Sequence, residues 1–538
     1  MTCRPSASLG WHRCHAHLKT GVEFCGKTLA VAVTLVAAGV PSGVFAQEEA
    51  QGQTTAGPTA GRPAVSIVPR VTVTEIFTDN ATLSANSKQS DLITEVIPGV
   101  RISSSFGRAK GYFDYALNAR QSTRAGATGT LQSVLTTFGS MEAVDNFAFI
   151  DFSASISQQA VSGLGVQSPG NYSANANQTE TSTYRLSPYL RGSLGGFADY
   201  QTRYSFSKTR SDSTATSEIT TKDLLLSLKG SPSASRLGWS VQASQQSANY
   251  SLGRTTESDS LTGSLSYALM PQLVVTATAG QEGNNYNSLA RETNLTTGQG
   301  IQWTPSPNAN FSASRQTRVF GQSHTLNFGY RTGRTAWSFT DSQDVTNSPS
   351  QSGLTSLGPI YDLYFAQFAT VEPDPVKRAE LVNAFLQANG INPNAIVVSN
   401  FLTSAVSLQR RQDLSFTLLG VRDTITFTAS RTETSRLDTI STAIDDLANA
   451  TLIRQTGLSV SYAHRLTPDT SVNLTGLSQR SSDSSGLQET SSNSVNLGVS
   501  TRLGLRTSAA VNARRVIFES KTSPYNETAI TGTVNVQF

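Results

Sequence analysis

The chain ends on Phe538, and the residues before it alternate strictly. Thr528, Ile530, Gly532, Val534, Val536 and Phe538 fall on one side of an extended strand. Ala529, Thr531, Thr533, Asn535 and Gln537 fall on the other. A closing strand with one greasy and one polar face, terminated by an aromatic residue, is what an outer-membrane β-barrel presents to lipid outside and water inside. Val534, Val536 and Phe538 also have the character of a terminal signal for the barrel-insertion machinery. This strand therefore predicts an all-β fold: a transmembrane, antiparallel, up-and-down barrel with outer-membrane lipid as its immediate partner.

Composition supports that fold. Only 14% of the 538 residues are charged and 37% are hydrophobic, whereas a soluble domain carries about a quarter charged residues. Disorder would also be polar, but here aromatic residues recur along alternating runs.

The N-terminus has the organisation of a secretory signal. Arg4, Arg13, Lys19 and Lys27 precede an apolar run from Thr28 to Val40. Val44-Phe45-Ala46 then places small residues where signal peptidase inspects them, so cleavage is expected between Ala46 and Gln47. The apolar run is about half the length of a spanning helix. Removing residues 1–46 takes away four of the 41 basic and one of the 37 acidic residues, leaving 37 against 36. The mature net charge of +1 implies no nucleic-acid partner. Cys3, Cys14 and Cys25, all the cysteines of the chain, leave with the signal, which suits a chain passing through an oxidising periplasm.

Residues 47–68 read as a short disordered periplasmic lead, and the barrel is expected over 69–538. Ala198, Tyr200, Thr202, Tyr204 and Phe206 oppose Asp199, Gln201, Arg203 and Ser205. Phe113, Tyr115 and Leu117 oppose Asp114, Asn118 and Arg120. Ile150, Phe152 and Ile156 oppose Asp151, Ser153 and Ser155. A sandwich has the same period, but one sandwich core could not use so many aligned strands. Tight turns near Asp145-Asn146, Gly195-Gly196, Pro271, Thr332-Gly333, Val421-Arg422 and Pro468-Asp469 alternate with longer polar stretches, as short periplasmic turns alternate with longer outer loops. The count comes to about 22 strands, with both chain ends in the periplasm.

Residues 359–398 lose the two-residue period. Asp374-Pro375 can start a helix and Gly390 can stop it. Val376, Ala379, Val382, Phe385 and Leu386 recur at helical spacing, and Tyr361, Tyr364, Phe365 and Phe368 add aromatic bulk upstream. Loop parity puts this insertion on the outer side. Tyr361, Tyr364, Phe365, Phe368, Val382 and Phe385 then either pack in a surface loop or fold into the lumen as a constriction.

Several landmarks carry a resemblance: "PRVTVTEIFTDNATL" (69–83), "SDLITEVIPGVRIS" (90–103), "YRLSPYLRGSLGGFADYQTRYSFSKT" (184–209) and "FLTSAVSLQRRQDLSFTLLGVRDTITFTASRTET" (401–434). With them the chain resembles outer-membrane β-barrel proteins associated with the PEP-CTERM/exosortase system. The opening motif alone is also similar to barrels of exopolysaccharide loci. The resemblance implies a process, extracellular-polysaccharide production beside protein sorting, and possible polysaccharide or export-component partners; it brings no activity and no site.

Catalytic chemistry finds little footing. After cleavage only His324 and His464 remain. His464 is in phase with Leu458, Val460 and Tyr462, facing lipid near a periplasmic turn, and His324 lies beside an apparent tight turn at Gly321-Gln322. There is no nucleophile elbow and no cluster with metal-ligand spacing, so no enzyme and no cofactor is expected. Opposite the lipid phase, Asp114, Arg120, Asp151, Arg185, Arg191, Asp199 and Arg203 should line the lumen. Such charges either set a transverse field in a conducting pore or pair inside a plugged one. Export or assembly of extracellular polymer, a general diffusion porin and a surface binding platform all remain open on these grounds.

Overall fold

The computed structural model describes residues 65–124, 129–168, 175, 177–214, 216–230, 236–346, 364–365, 368, 378, 382, 401–438, 440 and 445–538. The signal-cleavage junction at Ala46-Gln47 lies outside them, as do Tyr361 and Phe385.

Twenty-two strands form one antiparallel sheet that closes on itself. The strands are β1 (Val65–Thr78), β2 (Asp91–Phe106), β3 (Ala109–Ser122), β4 (Thr130–Val144), β5 (Ala148–Ala160), β6 (Gln178–Leu194), β7 (Ala198–Ser211), β8 (Ile219–Gly230), β9 (Leu237–Tyr250), β10 (Thr255–Met270) and β11 (Leu273–Asn284). The second half comprises β12 (Glu292–Ser306), β13 (Ala309–Arg318), β14 (Gly321–Arg331), β15 (Thr335–Thr346), β16 (Ser407–Leu419), β17 (Asp423–Arg436), β18 (Leu452–Arg465), β19 (Thr470–Asp483), β20 (Glu489–Arg502), β21 (Thr507–Ser520) and β22 (Tyr525–Gln537). A short helix, α1 (Asp446–Asn449), precedes β18. Each strand pairs with its sequence neighbours, and β1 closes the ring on β22, from Arg70 opposite Gln537 to Thr78 opposite Ala529. The Phe538 amide donates to the Pro69 carbonyl at 2.9 Å, extending the closure to the last residue.

β1 begins at Val65, ahead of the expected start at 69. The reason is its partner: β2 runs on far enough to place Ile102 and Ser104 opposite Ile67 and Val65. The turn expected at Gly321-Gln322 is also displaced; it consists of Val319 and Phe320, and Gly321 opens β14 opposite Arg318.

The two ends of the barrel differ. At one end the connections are short turns, such as 145–147, 195–197, 271–272 and 332–334; at the other are the longer loops, including 161–177, 347–406 and 437–451. The tight turns use residues that tolerate a left-handed backbone: Asn146 at φ 53°, Gly195 at φ 56° and Gly196 at φ 78°.

Register fixes which side chains look out. Ile530 and Val534 of β22 stand opposite Phe77 and Val73 of β1, and all four are exposed on the outer wall. Ala529 beside them, 1% exposed, faces inward. Trp239, Trp303 and Trp337, each within a few residues of the short-turn end, lie on the outer wall, where Trp337 packs on Phe416 at 4.2 Å and Trp239 on Phe197 at 5.4 Å. His464 joins this girdle, with Nδ1 2.7 Å from Asp423 Oδ1 and Tyr462 donating to the same carboxylate at 2.6 Å. An apolar wall with an aromatic girdle is a lipid-facing surface.

The inner wall is hydroxyl-rich. Cross-strand bonds join Thr183 to Thr209 (3.1 Å), Ser187 to Ser205 (2.9 Å), Ser244 to Ser260 (2.8 Å), Ser264 to Thr278 (3.0 Å) and Ser471 to Ser500 (2.9 Å). Pairs of this kind contribute about 0.2–1 kcal/mol each and leave further lone pairs for water.

The two walls should respond oppositely to charge. Leu226→Arg on the outer face of β8 should destabilise the barrel by about 2–4 kcal/mol, the range for a basic residue at mid-bilayer. Ser227→Arg, one residue on and facing the lumen, should change stability by well under half of that. Urea unfolding in liposomes reads both.

Candidate transport lumen

Asp114, Arg120, Asp151, Arg185, Arg191, Asp199 and Arg203 all lie on the inner wall, because each is paired in register with another inward residue. Toward the short-turn end, Asp114 is held between two cations. Arg70 Nη2 is 2.5 Å from Oδ1, Arg101 Nε is 3.0 Å from Oδ2, and the Tyr112 hydroxyl donates to Oδ2 at 3.0 Å. Higher on the same wall, the Arg120 Nε lies 3.7 Å from Glu95, both largely buried.

On β5 to β8 the charges join an aromatic patch. Arg203 Nη1 is 2.8 Å from Asp151 while its guanidinium lies 4.1 Å over the Tyr189 ring. Arg191 lies 4.2 Å over Phe149, which stacks on Tyr189 at 5.0 Å. Arg185 stands 3.9 Å from Asp223, and Gln246 donates to Asp223 at 2.7 Å. Asp199 is exposed near the short-turn rim, in register with Lys229. Across the barrel, Arg318 grips Glu282 with two bonds (2.8 and 2.9 Å) and reaches Asp344 at 2.8 Å. Opposed charges therefore neutralise one another within the wall. A polar solute in this lumen meets hydroxyls, amides and paired charges.

The insertion between β15 and β16 enters the lumen. Tyr364 is fully buried. Thr417 donates to its hydroxyl oxygen at 3.3 Å, and the Tyr364 and Thr426 hydroxyls share a bond of 2.5 Å. Those threonines are inward residues near the short-turn ends of β16 and β17. The insertion joins β16 at Ser407, so Tyr364 has descended about 33 Å measured along the strand, at about 3.3 Å per residue. Burial holds the Tyr364 phenol above its ordinary pKa, and bonds from both threonines partly offset this. Val382, helical and fully buried, and Phe365, with the Arg378 guanidinium 4.7 Å over its ring, belong to the same insertion; Phe368 is half-buried.

The returning segment 401–406 crosses the mouth. Phe401 forms a parallel bridge with Ala160 at the top of β5, eleven strands from β16, and the Leu402 amide donates to the Ala160 carbonyl at 3.1 Å. The Ser217 amide, from the loop before β8, donates to Ser404 Oγ at 3.2 Å. Val406 then packs with Ile219, Tyr250 and Tyr286.

The loop bearing α1 locks this lid. Asp445 caps α1 through the Ala448 amide (3.0 Å) and also accepts from the Ser404 amide (2.8 Å). Asp446 accepts from Ser162 Oγ at 2.8 Å and the Gly163 amide at 2.7 Å. Phe401, Leu447, Ala450 and Ile453 form the apolar contact beneath. Such packing explains why inward positions near the mouth, among them Phe518 and Tyr525, are apolar: they meet Leu83 and Val166 of the loops, not water.

Sequence reasoning placed the seven charges on one face but missed Arg70, Arg101, Glu95 and Asp223 as their partners, together with the Thr417–Thr426 seat of Tyr364. Alternation reveals a face; only register reveals a neighbour. His324 sits on the outer wall of β14, its Nε2 3.2 Å from Asp341. Among the described residues no group of three or more His, Cys, Asp or Glu side chains could hold a metal ion.

No family model and no curated protein matches the chain. Solved structures with a similar course include the FrpB iron transporter from Neisseria meningitidis (10% identity over 87% of this chain and 82% of that one, TM-score 0.47). Others are BauA, the ferric preacinetobactin receptor from Acinetobacter baumannii (11%, 87% and 80%, 0.43), and the siderophore receptor PirA from Pseudomonas aeruginosa (9%, 87% and 80%, 0.42). These are likenesses of architecture, and what those receptors bind is a property of those receptors.

The lid carries a pH dependence. Burial holds the Asp446 carboxyl above its ordinary pKa, against the bonds from Ser162, Gly163 and Leu164. An acid whose pKa is raised on docking favours the docked state while protonated. The lid contact should therefore be tightest below about pH 4, the ordinary aspartate range, and weaken as pH rises through that range toward the raised value. Spin labels on loops 161–168 and 445–451 should move apart over that window, and Asp446→Asn should abolish the change.

Proposed function

We propose that this protein is a gated, non-enzymatic conduit of a Gram-negative outer membrane that passes an extracellular polysaccharide or comparable polar solute. The observation that carries this reading is the seat of Tyr364 on Thr417 and Thr426, deep inside a barrel whose wall carries hydroxyls and paired charges. A mere surface platform has no use for a chain segment that descends to the far end of the lumen. An always-open diffusion porin is disfavoured by the lid that 401–406 and 445–451 build across the mouth.

The wall suits a polyhydroxylated cargo. Sugars exchange hydrogen bonds with hydroxyl and amide groups at little net cost, and paired charges give no strong hold on either sign. The arginines stacked over Tyr189 and Phe149 supply a flat patch where a sugar ring can rest. Association with an exosortase-type system is the process that the resemblance of the strand motifs supports, and loss of secreted polymer in a deletion strain would test it. The apolar outer wall supports a place in the outer membrane, and the sequence of the N-terminus supports secretion.

Planar-bilayer recording tests the gate. The intact barrel should be nearly silent. Deleting 359–398 should produce stable current, and Tyr364→Ala should produce frequent openings by removing the deep anchor. Silence in both variants, with the barrel folded, would refute the gate. In the deletion background, Asp114→Asn should shift ion selectivity toward anions, because Arg70 and Arg101 lose their shared counter-charge; reversal potentials in a salt gradient measure it.

A further inference from the structure

The outer wall is not uniformly convex. Across β10 to β14 it carries a depression of about 770 Å³. Its floor exists because two outward residues are small, Ala277 on β11 and Ala313 on β13. Its sides are Leu265, Ile301 and Leu326. All five belong to the lipid-facing phase of their strands. At the end nearer the long loops the depression is headed by Arg315 and His324, which stand opposite each other in register.

Arg315 is exposed, and its described hydrogen bond goes to the neutral Gln322 side chain. No described acidic group lies within ion-pair distance of it. The next outward basic residues differ in this respect: Arg410 is paired with Asp341, Arg431 and Arg454 share Glu433, and Arg480 is paired with Glu489. The apolar band is also low on this side. On β14 it reaches only from Tyr330 to Leu326 before His324 interrupts it, and on β15 it stops at Phe339 before Asp341. On β10, by contrast, it continues through Tyr267 and Leu265 to Leu261. A charged side chain facing hydrocarbon destabilises a barrel the more deeply it lies. The headgroup layer must therefore come down to the level of Arg315.

We propose that this trough is a binding site for a phosphorylated glycolipid of the outer leaflet, with an acyl chain on Ala277 and Ala313 and a phosphate on Arg315. A flexible chain fits a narrow concavity, whereas the rigid convex wall of a second barrel does not. The uncompensated guanidinium at one end supplies the complementary charge. This inference does not depend on what the lumen passes, and its test reads no transport.

The full mature barrel, purified in detergent, would be titrated with diphosphorylated lipid A, with its dephosphorylated form and with phosphatidylcholine, and bound lipid counted by native mass spectrometry. The barrel should retain the diphosphorylated lipid at least tenfold better than either control. Arg315→Gln should reduce that preference to within about twofold of unity, and Ala277→Phe should abolish retention by filling the trough. Arg480→Gln, at a residue already paired with Glu489, should leave retention unchanged. A heat-modifiable gel shift confirms that each variant is folded. Equal retention by the intact barrel, Arg315→Gln and Ala277→Phe would overturn the proposal. So would a dimer that Ala277→Phe dissociates while lipid retention stays the same, since the trough would then seat a second copy.

Discussion

Everything in this molecule depends on the hydrogen bonds that join β1 to β22. In hydrocarbon an unpaired backbone N–H or C=O costs several kcal/mol, so a sheet can live there only if it has no edge. The ladder from Arg70–Gln537 to Thr78–Ala529 removes the last edge, and Phe538 completes it on Pro69. Closure then dictates side-chain geometry. Once the ring is shut, every strand has one face toward lipid and one toward an enclosed space, and the two-residue period of the sequence becomes a radial separation of chemistry.

That separation leaves a wide, wet interior, which has to be managed. A ring of 22 strands is too wide for its own side chains to fill; 22-stranded transporters generally carry a plug. Among the described residues, Tyr364 of the chain between β15 and β16 occupies part of that space. Tyr364 sits on Thr417 and Thr426, and the segment 401–406 is fastened at Ala160, Ser217 and Asp445. Among the described residues, its anchors combine hydrogen bonds to Ala160, Ser217 and Asp445 with the apolar packing of Phe401 and Val406.

Much of the architecture was legible in the sequence because it is a matter of period and of turn chemistry. Phe113, Tyr115 and Leu117 against Asp114 and Arg120 need no partner to declare two faces, and Gly195-Gly196 declares a turn by itself. The strand count came to about 22 because each run has its own alternation. The beginning of β1 was misjudged, since Val65 to Val68 are strand only because β2 extends to meet them. The ion pairs were illegible for a similar reason. Arg70 and Arg101 reach Asp114 from two other strands, one of them 44 residues away, and nothing local marks the match. Deep seating of Tyr364 was equally hidden: the aromatic cluster of Tyr361, Tyr364, Phe365 and Phe368 called for burial, but where Tyr364 is buried is decided by a pair of threonines more than fifty residues on.

Radial order is the claim on which gate, lumen and lipid trough all stand, and the absence of cysteine after residue 46 allows it to be measured directly. Single cysteines would be placed at each position from 529 to 537 in proteoliposomes and reacted with a membrane-impermeant maleimide and, separately, with a lipid-dissolved one. The two reagents should label alternate residues, with 529, 531, 533, 535 and 537 taking the aqueous reagent after removal of 359–398, and 530, 532, 534 and 536 taking the lipid-dissolved one. Labelling of consecutive residues by the aqueous reagent would mean that this strand has no lipid face, and the barrel reading would be wrong.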